Sequence, residues 1–211
     1  MNYNIITLGS ATLDVFVKAE EEIRKHREHF DICYHLGEKV LIDELYFATG
    51  GGGTNTAVAF SRLGLRAGFI GAVGEDLHGS AVLEDLKKEK VHFLGRKKKG
   101  KTGFSVILSG EKDRTILSYK GVNNELRLSD IFFPIKTEWI YISTMLGESL
   151  QTSQRIASYA KKHKIKAAAN ISYYEAKLGL KKLSSFLGNI DILFLNKEEA
   201  CVLTNQKDIK K

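Results

Sequence analysis

The sequence predicts an α/β fold, a parallel-sheet sandwich that carries a second, small β-sheet as a lid. Three observations predict it. The second half alternates apolar β-rich runs with helical segments at the spacing of a parallel sheet. Four glycines, Gly50 to Gly53, stand between a strand and a helix. Four β-rich runs (Val15 to Val17, Val40 to Phe47, Phe104 to Leu108, Thr115 to Tyr119) fall outside the wound alternation and read as a separate sheet with one wet face.

In chain order, Tyr3 to Leu8 is a short apolar run ending at Gly9. No basic segment or long apolar stretch accompanies it, so it reads as a buried strand and not as a signal peptide. Val15 to Val17 is a second β-rich run. The charged stretch Glu20 to His29 has no apolar face beyond Ile23 and is expected as a solvated helix or loop. Val40 to Phe47 alternates as a half-exposed strand does. Asn55 to Leu63 is expected as a helix that stops at Gly64. Ala67 to Val73 reads as one continuous apolar strand, and His78 to Lys88 as a helix with a partial stripe of Ala81, Leu83 and Leu86. Phe104 to Leu108 and Thr115 to Tyr119 form a hairpin around a charged turn at Glu111 to Asp113. Strands at Trp139 to Ile142, Ile165 to Asn170 and Ile190 to Leu195 then alternate with helices at Leu150 to His163, Leu183 to Leu187 and from Lys197 to Leu203.

At 211 residues and 43% hydrophobic content, the chain is long enough for one α/β domain with a real core. The net charge of +7 favours anionic ligands, though a lysine-rich surface serves solubility equally well. Cys33 and Cys201 are too far apart in sequence to build a framework or metal pattern, which points to a reducing, cytoplasmic setting. No apolar run approaches the roughly 18 residues needed to cross a bilayer.

The most informative stretch is Thr49 to Gly74, TGGGGTNTAVAFSRLGLRAGFIGAVG. Glycines between a strand and a helix let backbone approach a ligand closely. Asn55 can donate and accept at once, which suits a neutral polyol better than a phosphate. A plain turn with an N-cap is the competing interpretation.

Two other patterns are weaker. Gly95 to Thr102, GRKKKGKT, fits the P-loop expression, but Gly103 to Ser109 alternates like a strand where a helix start should face the phosphate. The lysines are then a solvated turn. A dinucleotide fingerprint fails because Asn55 stands where its third glycine should be. His26 and His29, set among glutamates, belong to a wet charged face.

The glycine stretch resembles the ribokinase-like (PfkB) family of sugar and nucleoside kinases. There a Gly-Gly pair precedes an Asn, followed by a small residue and further glycines. Gly50, Gly51, Asn55, Ala57, Gly64 and Gly74 match that arrangement. Gly9 to Asp14, GSATLD, resembles the first-strand motif whose aspartate binds sugar hydroxyls. Asp14 matches it, while Thr12 stands where an asparagine is frequent. Gly74 to Gly79, GEDLHG, resembles a G-x-D-x-x-G turn in which Asp76 caps a helix. Glu148 aligns with a sugar-side residue, and Asn170 with a strand-end position facing the cleft. Asp191 to Ala200, DILFLNKEEA, resembles the N-x-x-E motif of Asn196 and Glu199, beside the nucleotide phosphates and the water around Mg²⁺.

The resemblance covers the whole chain, as one domain over residues 1–211 with lid strands inserted from about 13–48 and 103–120. It implies transfer of the ATP γ-phosphoryl group to a hydroxymethyl of a sugar or nucleoside. Asp14, Gly51 and Asn55 would hold the acceptor, with Glu148 alongside. Gly50 and Gly51 would hinge the lid, and Asn170, Asn196 and Glu199 would face nucleotide and Mg²⁺. The G-x-G-D segment that carries the family's catalytic base is not found, so the sandwich is expected to be incomplete at its C-terminus and the chain alone to be inactive. The alternative is a sugar- or nucleoside-binding, or partner-binding, protein without catalysis. A nucleic-acid binder using Arg96 to Lys101 ranks last. Lid strands in this family often meet in dimers, which implies a homodimer. Which sugar or nucleoside is bound is left open.

Overall fold

The computed structural model describes residues 2–19, 22–26, 29–110 and 113–208. Five strands come first: β1 (Tyr3–Leu8), β2 (Thr12–Ala19), β3 (Glu22–His26), β4 (His29–Cys33) and β5 (Ile42–Gly50). Helix α1 (Gly52–Arg62) leads to β6 (Ala67–Ile70), β7 (Ala72–Gly74) and α2 (Leu77–Lys88). Then follow β8 (His92–Phe93), β9 (Arg96–Lys98), β10 (Gly103–Ser109), β11 (Arg114–Tyr119) and β12 (Thr137–Ile142). The remainder is α3 (Glu148–Lys162), β13 (Lys166–Asn170), α4 (Tyr173–Ala176), α5 (Gly179–Leu187), β14 (Ile192–Phe194) and α6 (Lys197–Thr204).

The main sheet has the order β14-β13-β12-β1-β6-β8, and every pairing in it is parallel. Side chains of a strand alternate between faces, and β1 shows the consequence. Ile5 joins one apolar cluster with Phe69, Ala57 of α1, and Val82 and Leu86 of α2. Ile6 and Leu8 join the other, with Ile140, Ile142, Ile156 of α3 and Leu183 of α5. The sheet is therefore covered on both faces, the condition under which parallel sheets are stable.

The second sheet has the order β11-β10-β2-β5, with β10 and β2 parallel and the outer pairs antiparallel. All four strands set apart in the sequence lie in it. Among the described residues, no helix is long and apolar enough to cross a membrane.

Several expectations are corrected. The charged stretch from Glu20 to His29 enters an antiparallel hairpin, β3 against β4, with Arg24 opposite Asp31; Glu20, Glu21, Arg27 and Glu28 lie outside the described residues. Strand pairing satisfies this backbone, a contribution that hydropathy along one segment does not register. The run from Ala67 to Val73 is two strands split at Gly71. A Cβ there would meet Phe69 at 2.3 Å, and β7 pairs with β9 instead of continuing in the main sheet. Arg96 to Lys98 is accordingly strand rather than solvated turn. Strand β5 is exposed along most of its length and is not half-buried. The buried side of α2 is Gly79, Val82 and Leu86, while Ala81 is exposed. Helix α1 begins at Gly52, three residues before Asn55, so two of the glycines are its first turn. The expected turn from Glu111 to Asp113 closes with Gly110 donating to the Asp113 carbonyl at 2.8 Å; Glu111 and Lys112 lie outside the described residues.

Candidate functional site

A cavity of about 340 Å³ opens beyond the carboxyl ends of β1, β12 and β13, bordered by Ser10 and Ser143 just past β1 and β12, by Asn170 at the end of β13 and by Gly52 at the start of α1. Ligands of open parallel sheets gather at this side.

Local chemistry explains why the chain turns so tightly here. Gly51 holds φ at 108°, and a Cβ on it would stand 2.4 Å from the Ser10 carbonyl oxygen. A Cβ on Gly52 would stand 2.0 Å from Ser143 Oγ. Only glycine satisfies both positions. The reward is a capped helix start: the Gly52 N–H donates to Ser10 Oγ at 3.1 Å, and the Gly53 N–H to the Ser10 carbonyl at 3.1 Å. The glycines thus bring backbone against backbone and form the cavity wall.

Asp14 lies on β2, opposite Ala48 of β5 and Ser105 of β10. Its Oδ2 fills the space above Gly50, 2.0 Å from where a Cβ would be. Its Oδ1 is buried and has no hydrogen-bond partner. A buried carboxylate oxygen without a donor is rare and calls for an explanation.

The other sequence-predicted residues scatter. Asn170 borders the cavity, and its amide donates to the Phe194 carbonyl at 3.0 Å. Asn55 is exposed and borders a different groove of about 720 Å³, between β5 and helices α1 and α2, with Tyr46, Thr49 and Asp85. That groove is larger, but it lies away from the strand ends where Ser10, Ser143 and Asn170 converge. Glu148 is the first residue of α3; its carboxylate is exposed and paired with the Arg127 guanidinium at 2.9 and 3.2 Å, and it does not border the cavity. Hydrogen bonding to Arg127 holds that carboxyl below its ordinary range. Asn196 and Glu199 form a reciprocal cap on α6: the Asn196 N–H donates to Glu199 Oε2 at 2.9 Å, and the Glu199 N–H to Asn196 Oδ1 at 2.8 Å.

Four residues escaped the sequence. Asn123 is buried and clamps Ala11 from both sides, accepting from its N–H at 2.9 Å and donating to its carbonyl at 2.8 Å. Lys120 and Ser172 border the cavity, and the Ser172 hydroxyl is buried without a partner. Glu175 is buried and accepts from the N–H groups of Ser172 at 3.0 Å and Met145 at 3.4 Å. It joins the loops beyond β12 and β13. Burial pushes its carboxyl up, against those hydrogen bonds and one from Thr144, and the charge of Glu199 pushes the same way. The S-x-x-E spacing of Ser172 and Glu175 is a capping signature that could have located this pair.

Comparison with known proteins adds the rest. The pfkB family carbohydrate kinase profile matches residues 5–211. The chain is 27% identical to a ribokinase of Bacillus subtilis over 173 residues, covering 79% of this chain and 55% of that one. It is 33% identical to a 5-dehydro-2-deoxygluconokinase of Mesomycoplasma hyopneumoniae over 135 residues, covering 59% and 40% respectively. The chain spans about half the length of the curated relatives it matches. Among solved structures it superposes on adenosine kinase from Sinorhizobium meliloti with a TM-score of 0.80 at 20% identity, covering 100% of this chain and 70% of that one. It also superposes on an ADP complex of ribokinase from Cryptococcus neoformans with a TM-score of 0.72 at 22% identity, covering 96% and 59%. The fold is thus ribokinase-like. With a profile match over nearly its whole length and a glycine-built helix start closing the cleft, the chain belongs to the pfkB family of carbohydrate kinases.

Proposed function

We propose that this chain is the acceptor-binding part of a kinase that transfers the ATP γ-phosphoryl group to a hydroxymethyl of a sugar or nucleoside. The observation that carries this reading is the buried, unpartnered Asp14 Oδ1 over Gly50. An acceptor hydroxyl would supply the missing donor. Ser10, Ser143, Asn170 and Ser172 offer further neutral polar groups in the cavity beyond the strand ends. Such transfer depends on positioning and on stabilising charge.

The second sheet acts as the lid, roughly residues 13–48 and 103–120, and Gly50 and Gly51 are its hinge. Closure would exclude water from the acceptor. Asn55 borders the larger groove beside this hinge, and it reaches the acceptor only if closure brings that groove and the cleft together.

The donor set near α6 fits a nucleotide-borne Mg²⁺. Glu199 offers an exposed carboxylate and Asn196 an amide, with the buried Glu175 close enough for the two acids to influence each other. Magnesium commonly takes one or two carboxylates, keeps water, and binds phosphates for the rest. When bound, it would neutralise phosphate charge. The chain's own contribution is to fix Asn196 and Glu199 at the helix start by their mutual hydrogen bonds. Free, part-buried Cys33 and Cys201 suit a reducing cytoplasm.

A second reading is favoured by one feature. Among the described residues bordering the cavity there is no carboxylate to serve as general base. The 211-residue chain by itself would then bind acceptor without turnover. Coupled ADP release and calorimetric acceptor titration, run on the same chain, separate the two. Binding without ADP release is the expected result. Ordinary turnover defeats the claim of inactivity, and loss of acceptor binding in Asp14→Asn supports the site.

A further inference from the structure

Lys120 is the one charged residue among those bordering the 340 Å³ cavity. It is half-buried, and no described residue forms an ion pair or a side-chain hydrogen bond with it. It caps the 3₁₀ turn Gly121–Asn124, which Asn123 fixes through Ala11, so its backbone is held in place at the mouth. Around it the polar groups are neutral: Ser10, Ser143, Ser172, Asn124 and Asn170. The Ser172 hydroxyl is buried and without a partner.

A single cation among neutral donors, partly withdrawn from water, creates a positive potential that a neutral ligand leaves uncompensated. The volume of about 340 Å³ sits at the small end of the roughly 300–1,000 Å³ span of small-molecule sites and accommodates a sugar-sized ligand. We infer that the acceptor is a small sugar acid, whose carboxylate pairs with Lys120 while its hydroxyls meet the serines and asparagines. This inference rests on the kinase reading of the cleft.

Isothermal titration of the 211-residue chain, without nucleotide, uses gluconate and shorter aldonic acids against their neutral polyols, and a non-hydrolysable ATP analogue separately. The expected result is an acid bound about tenfold or more tightly than its polyol, the scale of one charge-assisted hydrogen bond. Lys120→Met abolishes that preference, weakening the acid about tenfold or more relative to its polyol. Lys120→Arg retains most of it, and added salt weakens it. Equal binding of acid and polyol overturns the acidic preference while leaving the kinase reading intact. A Lys120→Met defect confined to the ATP analogue reassigns the lysine to the phosphate donor and also overturns it. If the folded chain binds no sugar of either charge, both this inference and the acceptor site fail.

Discussion

Thr102 gives both its hydroxyl and its backbone N–H to the Asp76 carboxylate, at 2.6 and 2.9 Å. The same carboxylate caps α2 by accepting from the Gly79 N–H at 2.8 Å. One side chain therefore ties the root of β10, in the second sheet, to the start of α2. Asp76→Ala removes a cap and strips a donor's partner, for an expected loss of about 2–4 kcal/mol in urea unfolding. Burial alone would raise this carboxyl, but the bonds from Thr102 and Gly79 outweigh it and hold it below the ordinary aspartate range. The stability it adds is then full above about pH 3.9, the unfolded value, and is lost as pH falls through the lower folded value. Melting scans from neutral to strongly acid pH should show that acid limb in the wild type and a flatter one in Asp76→Asn. Identical limbs would remove the claim.

Asn123 does for the loop after β1 what Asp76 does for the root of β10. Without its amide, the Ala11 N–H and carbonyl are both left unpaired in a buried setting. Asn123→Ala should cost about 2–5 kcal/mol by that route. Asn123→Asp keeps the acceptor but sets a buried carboxylate oxygen against the Ala11 carbonyl, so it should cost at least as much. Equal stability of the three proteins in chemical denaturation would mean that water replaces the clamp.

The contrast between these residues and the glycine stretch shows how much was legible. Strand β1 was read to the residue, because a buried parallel strand is a bare apolar run. The glycines are legible in the sequence, but the contacts that require them are not. They are needed where Ser10 and Ser143 press on the helix start, a constraint set by loops distant in sequence. Strands β8 and β9 are two and three residues long and exist only because parallel neighbours accept them. Asn123 drew no reading from the sequence, since nothing nearby announces that its partner is Ala11. Glu148 was aligned by position, but Arg127 is 21 residues away and invisible to alignment of that segment alone. Local pattern thus carried the elements and their order. The site depends on contacts between strand ends, which local pattern does not contain.

Glu175 offers a pH-dependent test of the wall between β12 and β13. Its carboxyl is raised by burial, so the folded state holds its proton to higher pH than the unfolded chain does. The sign follows directly: this group favours folding below the unfolded glutamate value of about 4.3, and the advantage is lost as pH rises towards the folded value. Glu175→Gln, which does not ionise, should gain stability relative to wild type as pH rises from about 4 to neutrality. A melting-temperature difference that stays flat across that interval would show that the carboxyl is already solvated.

The second sheet presents the last test. Its two outer strands, β5 and β11, are free edges of the sheet. Leu45, Tyr46 and Phe47 on one, and Ile116, Leu117 and Tyr119 on the other, are each half or more exposed. Unpaired edges with large apolar side chains invite pairing with a second chain. A homodimer through the lid is the expected occupant, since a second copy brings the same sheet with its own open edges. Light scattering behind size exclusion should give a dimer mass for the wild-type chain. Tyr46→Glu with Leu117→Glu should give a monomer with unchanged circular dichroism, because neither side chain contributes to the buried core. The decisive control is acceptor affinity in the monomer. If the lids steady one another over the cleft, affinity falls as the dimer is lost. A wild-type chain that stays monomeric at every accessible concentration sinks the interface outright.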